Sequence, residues 1–222
     1  MKRKYLNIIA VVALSVALFS CKKNDFIATD TQVGISKVTQ YAQFTLTGAD
    51  YVYVKKGDPY VEPGVVAKSG STVLTVKTTG TPNTNVAGVY TLNYSAVNAD
   101  GFSASASRTV VVYDTDATAV GNDFSGNYAR TSNGSVAEWT KVAPGVYKVF
   151  NPGGAPGTNL TVIVFNKTGS SVVIPSQIAG GALTSSSTES SVAGTTPGTL
   201  KQYSMVIVNP GYGTAVRTFV KQ

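Results

Sequence analysis

The chain has 222 residues, of which 18 are basic, 11 are acidic and none is histidine. Without histidine there can be no Ser-His-Asp triad and no Cys-His pair, and the commonest zinc sites are excluded as well. Charged residues make up only 13% of the chain, and Lys55-Lys56 is the longest basic run in the predicted folded part, so nucleic-acid binding is not expected.

The N-terminus has the layout of a signal peptide. Lys2, Arg3 and Lys4 precede an apolar stretch at 6–19, which is too short to span a bilayer because a spanning helix needs about 20 residues. The LFSC sequence at 18–21 resembles a lipobox, which implies cleavage before Cys21 and diacylglycerol on its thiol. Cys21 is the only cysteine of the chain. A plain secretory signal with an incidental cysteine is the alternative.

Cleavage would leave 15 basic and 11 acidic residues, a formal charge of +4. Two or three acyl chains on Cys21 would anchor the protein stably, since a single chain binds a membrane only marginally. Residues 21–32 are polar and show no periodicity, which predicts a tether. Asp25 within it resembles a weak form of the surface-export signal of some Bacteroidetes lipoproteins, and the side of the membrane is left open.

Residues 33–114 alternate Val- and Tyr-rich runs with turn residues, which predicts an all-β domain. The alternation is clearest at 89–96, where Tyr90, Leu92, Tyr94 and Ala96 share one face and smaller or polar side chains share the other. The turn sequence at 98–101 predicts an antiparallel hairpin with the following strand. Together with one further strand, the six predicted strands would make a seven-stranded sandwich. These strands are 41–46, 51–54, 65–67, 72–77, 88–96 and 103–113.

Three segments of this domain carry a resemblance to bacterial Ig-like domains of surface proteins: GDPYVEPG at 57–64, GVYTLNY at 88–94 and RTVVV at 108–112. The resemblance covers about 80 residues. It implies a seven-stranded sandwich of a kind that often acts as a spacer and has no shared catalytic site. A function cannot be transferred from such a fold alone.

Residues 115–122 lack periodicity and are predicted to be a linker, whose hinge could be mobile. Residues 123–222 are predicted to form a second antiparallel β domain, either a sandwich or barrel-like. The segment 184–198 is rich in Ser, Thr and Gly and is interpreted as a long exposed loop. The predicted strands of this domain are 126–130, 137–142, 145–150, 160–165, 171–174, 203–208 and 215–220.

The lipobox, the Ig-like segment and two short C-terminal motifs, GNYAR at 126–130 and GVY at 145–147, together resemble small Bacteroides-type lipoproteins encoded with polysaccharide-utilisation systems. This resemblance implies an outer-membrane, lipid-anchored protein at the cell surface. Its implied partners are the membrane through Cys21 and either polysaccharide or outer-membrane proteins of an uptake complex. No cofactor is expected.

Trp139 is the first candidate for glycan binding, because sugars are commonly held by an aromatic face and a few planar hydrogen-bonding groups. Tyr128, Arg130, Glu138 and Tyr147 are its candidate neighbours. The competing and favoured interpretation of Trp139 is a core residue, since the single tryptophan of a β domain of this size is commonly its largest buried side chain.

Carboxylates are too scarce in the second domain to predict an enzyme. A glycosidase needs two suitably spaced acids, and only Asp123, Glu138 and Glu189 are available there. Asp114 and Asp116 near Asp123 are weak candidates for calcium ligands, with solvated linker carboxylates as the favoured alternative.

The sequence therefore predicts a non-catalytic, lipid-anchored cell-envelope protein whose C-terminal domain binds glycan or a partner protein of a polysaccharide-uptake complex. The alternative is a structural or adhesive surface component without a small-molecule ligand. An aromatic patch exposed in a concave surface at Trp139 would distinguish the first hypothesis from the second.

Overall fold

The computed structural model describes Gln32–Val33 and residues 36–222, with side chains from residue 38 onward. The predicted signal peptide, Cys21 and residues 22–31 of the predicted tether lie outside the described residues. Strands β1 (Gln32–Val33) and β2 (Ser36–Lys37) pair with each other in a two-stranded ribbon. Residues Tyr41–Gln222 form a separate compact unit. The described residues contain no helix that could cross a bilayer.

The first part of this unit is an Ig-like sandwich of seven strands in two sheets. One sheet has the order β3-β5-β6 and the other the order β4-β9-β8-β7, in which β4 and β9 run parallel. The bounds of the first sheet are β3 (Gln43–Leu46), β5 (Val65–Ser69) and β6 (Thr72–Leu74). Those of the second are β4 (Tyr51–Lys55), β7 (Lys77–Thr79), β8 (Gly88–Val97) and β9 (Ser103–Tyr113).

The seventh strand of the sandwich comes from a segment that the sequence predicts to be one strand. Residues 72–77 are divided between β6 and β7, which belong to opposite sheets. The chain leaves the strand conformation at residues 75–76, and Val76 packs against the core between the sheets. A continuous run of strand-forming residues does not show where the chain crosses from one sheet to the other. For this reason β6 and β7 were predicted as one strand.

The predicted hairpin of β8 and β9 is confirmed, with antiparallel pairs from Gly88↔Val112 to Val97↔Ser103. Leu92, Tyr94 and Ala96 are buried on the predicted face. In the turn, the Asn98 side chain accepts hydrogen bonds from the backbone N–H groups of Asp100 and Phe102. Gly101 has a φ of 84°, a conformation that favours glycine.

The second part of the unit is a nearly closed barrel of eight antiparallel strands, ordered β13-β12-β11-β10-β17-β16-β15-β14. The all-β prediction is confirmed, and of the two predicted architectures for this domain the barrel-like one is observed. The strands of the barrel are β10 (Gly126–Arg130), β11 (Val136–Ala143), β12 (Val146–Phe150), β13 (Thr161–Phe165), β14 (Gln177–Ala179), β15 (Ala182–Ala193), β16 (Leu200–Val208) and β17 (Arg217–Lys221).

A glutamine side chain bridges the gap between the first and last strands of the barrel. The buried amide oxygen of Gln177 in β14 accepts the N–H of Ile163 in β13 at 2.8 Å, and its Nε2 donates to the Ile163 carbonyl at 2.8 Å. The amide thus makes both hydrogen bonds that a neighbouring strand would make. Further along, Phe165 and Val173 form an isolated backbone bridge.

The prediction of a loop at residues 184–198 is wrong for most of that range. Residues Ala182–Ala193 form β15, a twelve-residue strand that pairs with β16 from Ser185↔Val208 to Ala193↔Leu200. Most of its side chains beyond Thr184 are exposed or half-buried, so no apolar alternation marks the strand in the sequence. Conversely, the strand predicted at 171–174 supplies only the isolated bridge at Val173.

The outer face of the Ig-like sheet packs against the outside of the barrel. Val111 of β9, Val146 of β12 and Ile163 of β13 are completely or almost completely buried in one apolar cluster. The predicted linker is fixed to the barrel as well, because the Thr115 hydroxyl donates to the Pro144 carbonyl at 2.9 Å and the Asp116 N–H donates to the Lys167 carbonyl at 3.0 Å. The two β folds are therefore joined through a buried interface in addition to their connecting segment.

Candidate functional site

The aromatic residues proposed for sugar stacking lie inside the barrel. Trp139 is 3% exposed, and its Nε1 donates a hydrogen bond to the Tyr203 hydroxyl at 3.2 Å. The rings of Tyr128 and Tyr147 are each centred 5.5 Å from the tryptophan ring, and both residues are completely buried. Burial also raises the pKa of Tyr147 to about 12. Because none of these rings has an exposed face, they do not form the stacking surface that the sequence suggested.

Arg130 and Glu138 do not complete a site around Trp139 either. Glu138 is exposed and follows the inward-facing Ala137 in β11, so its side chain lies on the outer side of the barrel wall. Arg130 is half-buried at the end of β10, where its Nη1 donates to the carbonyls of Gly153 and Gly154. The five candidate residues therefore belong to the core, to the outer surface and to one end of the barrel.

The three weak calcium candidates each have other partners. Asp114 accepts a hydrogen bond from the Lys56 ammonium at 3.0 Å. Asp116 and Asp123 each accept the backbone N–H of the residue two positions later, at 2.8 and 2.9 Å. In the part of the chain that the structure describes, no three metal-ligating side chains come together. The described structure therefore does not bring these three carboxylates together with one another.

A cleft of about 480 Å³, here called the interdomain cleft, lies between the Ig-like sheet and the barrel. On the Ig-like side its wall consists of two polar rows that cross adjacent strands. Tyr51, Thr109 and Thr91 are cross-strand neighbours in the first row, and Ser107 pairs with Asn93 in the second. The strand period of two places these side chains on one face, opposite the buried Leu92 and Tyr94.

The same sheet face becomes apolar one row further along. Tyr53, Val111 and Val89 are the cross-strand neighbours there, and all three belong to the cluster that packs against the barrel. The opposite wall of the interdomain cleft comes from Asn159 and Thr161 at the start of β13, and from residues 178–180 at the β14–β15 turn. The interface that joins the two folds thus fixes the position of one polar wall against the other.

Six polar side chains that line the interdomain cleft make no hydrogen bond to any described residue: Thr91, Asn93, Ser107, Thr109, Asn159 and Thr161. Their hydroxyl and amide groups are available to a ligand. None of the ten lining residues is charged. The ammonium of Lys148 lies 4.6 Å from the centre of the Tyr51 ring and makes a cation–π contact with it.

The sequence contained part of the signal for this site. The alternation in β8 predicts that Thr91 and Asn93 share the face opposite the core, and the predicted hairpin places Ser107 and Thr109 beside them. Sequence patterns do not show which outer face of a sandwich meets a second domain, because that depends on tertiary packing. Asn159 lies more than 40 residues from the hairpin, so its position across the cleft could not be inferred.

Residues 44–112 match the family model described as "Bacterial surface protein, Ig-like domain". The match confirms the Ig-like prediction and points to a cell-surface protein. Among solved structures, the lipoprotein BT2262 from Bacteroides thetaiotaomicron is similar, with 22% sequence identity, coverage of 82% of this chain and 100% of that chain, and a TM-score of 0.41. An identity and a TM-score this low do not support the transfer of a function from that lipoprotein to this chain. No curated protein sequence matches the chain significantly.

Proposed function

We propose that the protein is a non-catalytic, lipid-anchored protein of the outer membrane that binds a neutral glycan at the cell surface, in the interdomain cleft. The observation that supports this proposal is the composition of the cleft. It combines one aromatic ring, Tyr51, with six polar side chains that have no partner among the described residues. The proposal moves the binding site from the neighbourhood of Trp139 to the contact region between the two folds.

The chemistry of the cleft matches that of a neutral sugar. Hydroxyl and amide groups can each donate and accept hydrogen bonds, as the hydroxyl groups of a sugar do. Asn93 and Asn159 supply planar amides from opposite walls, and Tyr51 supplies an aromatic surface. The lining carries no charge that would have to be compensated by the ligand, and a cleft of about 480 Å³ falls within the usual range for small-ligand sites.

Binding without catalysis is the activity that these residues support. Hydrolysis of a glycosidic bond generally uses two carboxyl groups that flank the bond, and none of the residues lining the interdomain cleft is Asp or Glu. We assign the acyl chains on Cys21 the role of membrane anchor and the Ig-like fold the role of one wall of the site. In this arrangement the protein would serve polysaccharide uptake by holding glycan at the cell surface.

Calorimetric titration of the purified protein with soluble starch, mixed-linkage β-glucan, galactomannan and arabinoxylan tests this proposal. We expect saturable binding of at least one of these neutral polysaccharides. Tyr51→Ala should weaken it about tenfold, which corresponds to about 1.4 kcal/mol of lost contact. Tyr41→Ala is the matched control, because Tyr41 is 51% exposed and contacts Phe102 outside the cleft.

Equal weakening by Tyr51→Ala and Tyr41→Ala would contradict binding in the interdomain cleft. The absence of saturable binding to every polysaccharide would favour the alternative of a structural or adhesive surface component. One observation favours that alternative: within the described residues, no strand pairs with residues 187–193 of β15 on the side away from β16. An unpaired strand edge of this kind can accept a strand of another protein.

A further inference from the structure

Two arginines point inward at one end of the barrel. Arg130 is the last residue of β10 and Arg217 the first of the neighbouring β17. Arg130 pairs directly with Phe219, so Arg217, two residues before Phe219, is its diagonal neighbour on the same face. That face is the inner one, because Tyr128 and Phe219 belong to the barrel core. Two positive charges are thus brought together at the barrel mouth.

The arginine pair, Arg130 and Arg217, has hydrogen-bond donors without partners. Arg217 is 8% exposed, and the Nε atoms of both arginines are buried without a hydrogen bond to any described residue. The bonds that do form use Nη1 and go to backbone carbonyls: those of Gly153 and Gly154 from Arg130, and that of Ala215 from Arg217 at 3.1 Å. Carbonyls satisfy donors but do not neutralise the charge.

No carboxylate compensates the arginine pair among the described residues. The described ion pairs involve Glu62 and Asp114, which bind other cations. Burial lowers the pKa of Arg217, and the nearby charge of Arg130 lowers it further. In contrast, the buried Arg108 of the Ig-like sandwich has a carboxylate partner, Glu62, at 3.2 Å. The barrel mouth is therefore positive and lacks a counter-charge in the described chain.

Arg217 contacts an aromatic ring of the loop that precedes β17. The guanidinium of Arg217 lies over the ring of Tyr212, with its central carbon 5.2 Å from the ring centre. Tyr212 in turn packs against Gly153, where any side chain would collide with the ring. The residues around Tyr212 from Gly211 to Val216 are exposed. Arg217 thus lies next to a loop whose residues on both sides of Tyr212 are exposed.

We propose that Arg130 and Arg217 form a binding site for a compact oxyanion of the sulfate or carboxylate type. The Nε and Nη2 groups of an arginine form the fork that holds two oxygens of such an anion. In both arginines, neither Nε nor Nη2 makes a hydrogen bond to a described residue. The site is separate from the interdomain cleft and does not rest on the proposed glycan function. The anion is either a free ion or a substituent of a larger ligand.

NMR spectroscopy of the full chain in detergent, labelled with ¹⁵N at arginine, tests this site through the Nε–H resonances. Sodium sulfate replaces sodium chloride at constant ionic strength. We expect saturable shifts for Arg130 and Arg217 and none for Arg108, whose Nε is already bonded to Glu62 and Tyr94. Unshifted Arg130 and Arg217 resonances, or equal shifts with chloride alone, would overturn the proposal.

Arg217→Gln should weaken sulfate binding at least tenfold, because it removes the charge and the fork. Lys201→Gln is the matched control, since it removes one exposed positive charge from β16 of the same barrel. If Arg217→Gln does not fold, Arg217→Lys keeps the charge without the fork and should also weaken binding. Unchanged sulfate affinity in a folded Arg217 variant would overturn the proposal.

A second titration distinguishes the sources of the anion. Chondroitin sulfate carries sulfate and carboxylate groups on a polysaccharide, and polygalacturonate carries carboxylate groups alone. Dextran is the uncharged control. Tighter binding of either polyanion than of inorganic sulfate, lost in Arg217→Gln, assigns the oxyanion to a glycan. Binding of inorganic sulfate alone assigns a free anion. Binding of the polyanions that is unchanged in Arg217→Gln would overturn the proposed site.

Discussion

Arg108 is completely buried in the Ig-like sandwich, and each of its three side-chain nitrogens has a hydrogen-bond partner. Its Nε lies 3.2 Å from a carboxylate oxygen of Glu62 and 3.3 Å from the Tyr94 hydroxyl. Its two Nη atoms donate to backbone carbonyls, among them that of Thr47 at 2.8 Å. The network joins the β9 strand to the turns after β3 and before β5. It therefore holds both sheets and the loops between them in register.

Acid should weaken this network through Glu62. Burial alone would raise the pKa of Glu62, but hydrogen bonds from Tyr60, Tyr94 and the Gly64 N–H, together with the Arg108 charge, lower it below its ordinary value of 4.5. A depressed carboxyl pKa contributes stability that is present above pH 4.5 and is lost as the pH falls through the folded-state pKa.

We predict that Glu62→Gln lowers the free energy of unfolding by about 2 kcal/mol at pH 7, since it leaves the buried Arg108 charge without its carboxylate. The variant should also lose less stability than the unmodified protein between pH 5 and about pH 2. Urea denaturation at several pH values measures both effects. If the variant and the unmodified protein lose the same stability in acid, protonation of Glu62 is not the cause of that loss.

At the scale of single residues, the sequence was most informative about the core. The alternation of β8 correctly identified Leu92, Tyr94 and Ala96 as buried, and Trp139 occupies the core position that was the favoured interpretation. Arg217 could not be recognised, because a lone arginine within the predicted strand 215–220 gives no sign that it points inward. Only the register between β10 and β17 brings it beside Arg130.

At the scale of elements, β14 is the strand that contributes the side chain closing the barrel, Gln177. With three residues it is too short to give a strand pattern in the sequence, and its Gln177 makes the two hydrogen bonds to Ile163. The neighbouring β15 was missed for a different reason, since its Ser- and Thr-rich composition is also typical of loops. Its strand conformation comes from the pairing with β16, a tertiary contact that no local pattern records.

Gln177→Ala should destabilise the barrel by about 2 kcal/mol, because it leaves the buried N–H and carbonyl of Ile163 without partners. Gln202→Ala is the control, as Gln202 is half-buried in β16 and its side chain makes no hydrogen bond to a described residue. Guanidinium denaturation followed by Trp139 fluorescence reports the barrel directly. Equal stability of the two variants would contradict the closing role of Gln177.

For the whole molecule, the buried contact between the Ig-like sandwich and the barrel predicts joint unfolding. Far-UV circular dichroism, which detects both folds, and Trp139 fluorescence, which reports the barrel, should give coincident transitions. Ile163→Ala should lower the stability by about 3 kcal/mol, since Ile163 is 1% exposed within this interface. Val208→Ala, at a position that is 47% exposed, is the control. Separate transitions in the unmodified protein would contradict the coupling.

The sequence predicted the class and number of folds more completely than it predicted the site. Periodicity and turn residues are local, so they identified the sandwich hairpin and most strands of the barrel. The interdomain cleft arises where two folds meet, and its walls come from Tyr51, the β8–β9 hairpin and Asn159, which are distant in the chain. Those walls are brought together by tertiary packing, in which Val111 contacts Ile163 and Val146.

The most direct test of the central claim is to remove one polar group from each wall of the interdomain cleft. Asn93→Ala and Asn159→Ala are compared with the unmodified protein by calorimetric titration against the neutral polysaccharides. We predict that each substitution weakens binding of the same polysaccharide about tenfold while the melting temperature is unchanged, because both amides would contact one ligand. Binding at full affinity in both folded variants would contradict a glycan site between the two walls.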